Sequence, residues 1–197
     1  KTLVKTEYDK AGISSPTLTS AEFITRLSKI PLAHQPGAVW DYSVATDVLG
    51  RVIEVIAGQD LDTFLRERIV RPLRLGDTGF SVPAANHGRI AESFVNKATG
   101  KRLIDRVITE PPKRFGGGGM MVATAADYVR FCQMLLNGGE LDGARIISRQ
   151  SVAAMTANHL PAGIRYTVPP AQMVSSTPSP EMGQGWGLGF VVRTETG

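Results

Sequence analysis

Apolar positions recur at helical spacing in several stretches of the chain, and most of these stretches carry their own start and stop signals. Thr19-Ser-Ala-Glu22 has the form of a capping box. Phe23, Ile24 and Leu27 follow on one side, which predicts a helix over about 20–29 ending near Pro31. A stronger amphipathic helix places Val44, Val48, Leu49, Val52, Ile53 and Ile56 on one face and Asp47, Arg51 and Glu54 on the other, with Gly58 as its stop. Asp60 then caps a helix carrying Leu61, Phe64, Leu65 and Ile69, limited by Pro72. Thr124-Ala-Ala-Asp127 is a second capping box. It opens a helix whose buried side is expected to hold Tyr128, Phe131, Cys132, Leu135 and Leu136, closed by Asn137-Gly138-Gly139. Ser148 caps a last helix reaching about Ala157.

Between these helices the pattern changes. Gln35-Pro36-Gly37 is a turn, and Val39 to Tyr42 leads out of it as an extended segment. Residues 90–95 and 102–108 are β-branched or alternating and flank Asn96-Lys-Ala-Thr-Gly100, which predicts a hairpin. Gly116 to Gly119 form a loop, Leu141 to Ile147 a turn and short strand, and residues 161–183 an irregular Pro-, Ser- and Gly-rich loop. Gly185 to Arg193 alternates like a strand. Thr194 to Gly197 looks like the first half of a hairpin turn, so that strand's partner is expected beyond residue 197.

Composition narrows the function. The 197 residues suit one domain, or one and part of another. The hydrophobic share of 42% is enough to bury a sizeable core. The formal charge is +4, but the basic residues are scattered, and the densest group, Arg66, Arg68, Arg71 and Arg74, is interleaved with Glu67 and apolar residues. A nucleic-acid or anionic-membrane partner would need a concentrated basic face, so neither is expected. No apolar run is long enough for a membrane span. No pattern specifies an oligomeric state. Cys132 is the only cysteine, which excludes an internal disulfide. His34, His87 and His159 lack metal-ligand spacing, and no phosphate loop or dinucleotide fingerprint occurs, so no metal or cofactor is expected. No Ser is followed three residues later by Lys, and no Gly-x-Ser-x-Gly elbow is present.

The order of motifs carries more. Pro36-Gly37 precedes Asp41-Tyr42-Ser43, then the amphipathic helix, then Arg71-Pro-Leu-Arg-Leu-Gly-Asp-Thr-Gly-Phe80. Arg114-Phe-Gly-Gly-Gly-Gly119 precedes Val122-Ala-Thr-Ala-Ala-Asp-Tyr-Val-Arg-Phe131, Leu135-Leu-Asn-Gly-Gly139 and Leu141-Asp-Gly-Ala-Arg145, and Gly185-Trp-Gly-Leu-Gly-Phe190 comes last. In this order they resemble the serine β-lactamase and penicillin-recognising superfamily, above all the β-lactamase-like carboxylesterases.

The resemblance implies an α+β or α/β chain of the β-lactamase/transpeptidase-like fold. Residues 1–183 would be a central, mostly helical region with the hairpin near 90–108, and residues 184–197 the start of the C-terminal sheet. It implies acyl transfer through a serine acyl-enzyme on a small-molecule carboxylic ester; the alternatives are lactam or peptide-amide hydrolysis of the β-lactamase or DD-peptidase type, and an inactive fragment or non-catalytic binding module of the same fold. The Ser-x-x-Lys and Lys-Thr-Gly-like motifs are expected in segments before and after this chain.

Tyr42 matches the family's catalytic tyrosine, which pairs with the motif lysine and takes the proton from the serine. The chemistry is demanding: a free phenol ionises near pH ~10, and lowering that by about three units needs roughly 4 kcal/mol from a nearby cation. Val44 stands where β-lactamases carry an Asn that can bond a lactam amide, and valine there favours an ester. Gly117, Gly118 and Gly119, with Gly116, would line the acyl pocket, and Trp186 would flank the cleft. Each has a plainer alternative: a packed tyrosine at a strand end, the first core residue of a helix, a flexible loop, and a core tryptophan between glycines.

Overall fold

The computed structural model describes residues 3–100, 102, 107–166 and 178–195. Helices α1 (Leu3–Ala11) and α2 (Ser20–Leu27) open the chain. The first capping box is complete: the Thr19 hydroxyl accepts from the Glu22 N–H at 3.3 Å, and the Glu22 carboxylate accepts from the Thr19 N–H at 2.8 Å. Ile13, Leu18 and Phe23 are buried between the two helices. Strand β1 (Val39–Trp40) then leads into α3 (Ala45–Ala57), which stops at Gly58 with φ 68°.

The next predicted helix is a composite. Asp60 caps α4 (Leu61–Leu65), which widens into a π-helical turn over Arg66–Val70. A short 3-10 turn spans Ala84–Arg89. Helix α5 (Ala125–Leu136), the hairpin β2–β3 (Glu140–Leu141 and Ala144–Arg145) and α6 (Arg149–Met155, capped by Ser148) follow. Val70, Leu73, Leu75 and Met134 form a second buried cluster, supported by Phe131, Leu135, Leu141 and Ile146. Strand β4 (Arg165–Tyr166) pairs in parallel with β1, and β5 (Gln184–Trp186) pairs antiparallel with β6 (Val191–Arg193).

Three expectations change. Helix α5 does not bury Tyr128 or Leu136, which are 64% and 81% exposed. Its inward line runs through Asp127 and Met134, seven residues apart on one side of the helix, so Tyr128 lies about 100° off that line. Helix α3 buries Gly50 and Glu54, whereas Leu49, Val52 and Ile56 face outward. Glu54 accepts hydrogen bonds from the Ser20 hydroxyl and the Leu61 N–H, both at 3.3 Å, and pairs with Arg51 at 3.0 Å. Val44 and Val48 of the predicted stripe do pack on the α1–α2 cluster.

The third change concerns residues 185–193, which form a hairpin and not a single strand. Gly187 N–H donates to the Phe190 carbonyl at 2.8 Å, and Gly189 takes φ 89° in the turn. The strand's partner is therefore local.

The 90–108 hairpin is seen in its Val95–Arg102 bridge and in the Asn96 side chain, which accepts from the Ala98 and Thr99 N–H groups. Residues 101 and 103–106 of its second arm, 167–177 of the long loop and 196–197 lie outside the described residues. Among the described residues no helix is long and apolar enough to cross a membrane.

Truncating Met134 to Ala should cost about 2–5 kcal/mol, whereas Leu136→Ala should stay within about 0.5 kcal/mol of wild type, read by chemical denaturation. The Asp60 carboxyl is held below its ordinary value, chiefly because the Thr63 N–H donates to its charged form. A depressed folded-state pKa contributes stability that is present above the unfolded value and is lost as pH falls through the folded one. Asp60→Ala should thus be about 1 kcal/mol less stable at pH 7, and the gap should narrow in acid; a gap unchanged between pH 7 and pH ~3 would show that the charge is irrelevant.

Candidate functional site

The site is assembled around the first turns of α3. Strand β1 delivers Asp41-Tyr42-Ser43-Val44, and the Ser43 hydroxyl accepts from the Ala45 N–H at 3.2 Å, turning the chain into the helix. Tyr42 stands 62% exposed at this entry. Val44 is half-buried, its methyls against the α1–α2 cluster, which places it as a core contact of the helix start.

The glycine loop lies on the same turns. A Cβ at Gly117 would collide with the Thr46 carbonyl oxygen and come within 3.0 Å of the Gly50 backbone. At Gly116 it would meet the Asp47 carboxylate at 2.6 Å and Met120 Sδ at 2.8 Å, and at Gly118 the Asp47 carboxylate and the Thr46 hydroxyl at 2.9 Å. At Gly119 it would meet nothing within 4 Å. Gly117 is therefore glycine because the loop backbone presses against the backbone of α3, whereas the space above Gly116 and Gly118 is filled by the side chains of Asp47, Thr46 and Met120. Only Gly119 has the openness expected of a pocket wall. The loop exits through Met120, which takes φ 77°, a strained value for a residue with a side chain.

Both ends of the loop are anchored. The Phe115 ring packs on Phe80 with centroids 5.0 Å apart. Val122 and Gly79 exchange two backbone hydrogen bonds, at 2.8 and 3.1 Å. Just before the loop, the Arg114 guanidinium stacks 4.2 Å over the Phe23 ring.

Trp186 reaches the same neighbourhood through aromatic contacts. It is half-buried and meets Trp40 edge-on at 5.3 Å, and Trp40 in turn meets Tyr166 at 5.9 Å. The Asn158 carboxamide oxygen accepts from the backbone N–H of Trp186 at 3.0 Å and fills the space above Gly185, which is why no side chain fits there. Tyr166 is a participant that sequence reasoning missed, since it lies in the stretch read as irregular loop; only its pairing with β1 reveals it. Burial pushes its phenol above the ordinary value, so it stays protonated at neutral pH.

The histidines take local roles: His87 Nε2 lies 3.0 Å from the Val82 carbonyl, His159 Nε2 2.7 Å from that of Ala154, and His34 is exposed. Among the described residues no group of three His, Cys, Asp or Glu side chains is placed to hold a metal.

A family model described as beta-lactamase matches residues 2–197. The chain belongs to the beta-lactamase family. Within this family it is 33% identical over 137 residues to penicillin-binding protein 4 of Amycolatopsis lactamdurans, covering 68% of this chain and 36% of that protein. It is 26% identical over 197 residues to the lovastatin esterase of Penicillium rubens, covering 94% of this chain and 49% of that protein. The structure of EstCE1, described as a hydrolase with promiscuous acyltransferase activity, superposes with a TM-score of 0.68 at 21% identity, covering 96% of this chain and 51% of that one. The beta-lactamase fold predicted from motif order is thus established. The chain spans between about a third and a half of these relatives' lengths.

If close packing fixes the glycines, Gly117→Ala should cost about 1–3 kcal/mol through overpacking. Gly119→Ala should stay within about 0.5 kcal/mol of wild type. Equal losses at the two positions in thermal melts would contradict the packing account.

Proposed function

We propose that this chain is the tyrosine-bearing part of a serine hydrolase that cleaves short-chain carboxylic esters through an acyl-enzyme. The observation that carries the reading is the exposed Tyr42 at the head of the helix against which the glycine loop is packed. A phenol left open at the head of a helix that carries a loop at backbone contact distance suits a proton-transfer group bordering an acyl pocket.

In this reading Tyr42, as phenolate, takes the proton of a serine supplied by the rest of the protein. A lysine one helical turn from that serine provides the cation that favours the phenolate. The serine oxygen forms a bond to the ester carbonyl carbon, the C–O bond to the alcohol breaks, and the phenol returns the proton to the departing alkoxide. Water then repeats the sequence on the acyl-serine and releases the acid.

Gly119 and the backbone of Gly117 and Gly118 would border the acyl group, and Trp186, with Trp40, would flank the opening. Val44 favours an ester substrate, because its side chain is engaged in the core and offers no amide partner. The division of the chain follows the same reading: residues 1–183 belong to the helical region, and 184–197 to the sheet. The similarity to penicillin-binding protein 4 favours a second reading, hydrolysis of a lactam or peptide amide at the same site.

The test uses the full-length protein and a short-chain p-nitrophenyl ester. Tyr42→Phe should lower kcat by about 10²–10⁴ while KM moves only a few-fold. Unchanged turnover would remove Tyr42 from the mechanism, and nitrocefin turnover rivalling that of the ester would move the substrate class to lactams. The 197-residue chain alone should not be labelled by a fluorophosphonate, since it has no Ser-x-x-Lys.

A further inference from the structure

Asp127 opens α5 five residues after the glycine loop makes its exit bond at Val122. In a full capping box its carboxylate would turn back to the Thr124 N–H. Here only half of the box forms: the Thr124 hydroxyl accepts from the Asp127 N–H at 3.3 Å. The carboxylate points elsewhere. One of its oxygens accepts from the Asp77 N–H and from the Thr78 hydroxyl, each at 2.8 Å, across sequence separations of 50 and 49 residues.

The residue is 7% exposed, one of two buried charged side chains among the described residues, and both of these bonds are charge-assisted. Asp77 is gripped from its outer side as well, by a bidentate pair with Arg89 at 2.7 and 2.8 Å. That pair is more exposed and counts for less.

The segment that Asp127 holds is the one that anchors the glycine loop at both ends, through Phe80 to Phe115 and through Gly79 to Val122. Segment 77–80, loop 115–122, the start of α5 and the Asp127 carboxylate thus form a closed ring.

We infer that Asp127 is a positioning residue: its carboxylate fixes segment 77–80 and thereby holds the glycine loop in register against α3, the helix that Tyr42 precedes. For its effect on turnover this rests on the ester-hydrolase reading above. The geometric effect is independent of that reading.

The test is hydrogen–deuterium exchange on the full-length protein, alongside ester kinetics normalised to active sites titrated with a fluorophosphonate. Asp127→Ala should raise exchange in peptides covering 77–82 and 115–122 by about tenfold, and leave peptides of α2 unchanged. It should raise KM for the ester by about tenfold, whereas simple loss of folded protein would lower the titrated sites and leave KM alone. Asp127→Asn retains an oxygen that can accept both bonds and should restore both readouts to near wild type.

Should Asp127→Ala fail to fold, Thr78→Val removes one donor without changing shape and should raise exchange in the same two peptides several-fold. Unchanged exchange in 115–122 in either folded variant overturns the inference. Increased exchange with unchanged KM overturns the link to the reaction. Absence of ester turnover in the wild-type protein sinks the hydrolase reading instead, and the exchange result still decides the role of Asp127.

Discussion

The structure turns on a contact between two glycines. Gly117 of the loop lies against Gly50 in the middle of α3, and a Cβ built on either residue comes within 3.1 Å of the other's backbone. Such proximity is available only where neither residue has a side chain. It lets a loop backbone lie directly on the first turns of a helix, at the end where Tyr42, Ser43 and Val44 enter. A side chain at either glycine would lift the loop from α3.

The two hydrophobic clusters are small, and the joints between distant segments are made by polar groups. Glu54 joins α3 to the starts of α2 and α4 through Ser20 and Leu61. Arg130 joins α5 to the Leu73 carbonyl at 2.9 Å and to Asp142 at 2.6 Å. These bonds are directional, and a buried carboxylate deprived of its donors costs more than an ordinary hydrogen bond contributes. The core clusters supply cohesion without direction. The polar joints determine which faces meet, and therefore where Tyr42 and the glycine loop stand relative to each other.

What could be read from sequence follows the range of each interaction. The Thr19–Glu22 box, the Asp60 and Ser148 caps and the Gly58 stop were legible because each is completed within a few residues. Thr124 and Asp127 spell the same box, yet Asp127 gives its carboxylate to Asp77 and Thr78, and nothing local signals partners 49 and 50 residues away. Asp127 faces inward and Tyr128 outward, which shifts the buried face from the one read from apolar spacing, although Phe131 and Leu135 still pack on the core. Residues 185–193 alternate whether they form one strand or two arms, and only the turn at Gly187 to Phe190 decides. At the candidate site, motif order singled out Tyr42, the glycine loop and Trp186 for their proposed roles. The ring contacts through Trp40 and Tyr166 were not legible, because they depend on a parallel pairing between segments 126 residues apart, Val39 with Arg165.

Apolar burial alone does not set the rotation of α3 about its own axis. Turning the helix to bury Leu49, Val52 and Ile56 would withdraw Val44 and Val48 from the α1–α2 cluster. Each aliphatic side chain is worth about 1.5–3 kcal/mol when fully buried, so apolar area alone would favour turning Leu49, Val52 and Ile56 inward over keeping the partly covered Val44 and Val48. The same turn would carry Gly50 away from Gly117 and strip Glu54 of the Ser20 and Leu61 donors, leaving a carboxylate under-bonded at a cost of about 1–3 kcal/mol or more. The decision therefore falls to one small residue and one charged residue on the inward line. A helix whose apolar face reads as its core face is instead seated by its glycine and its glutamate.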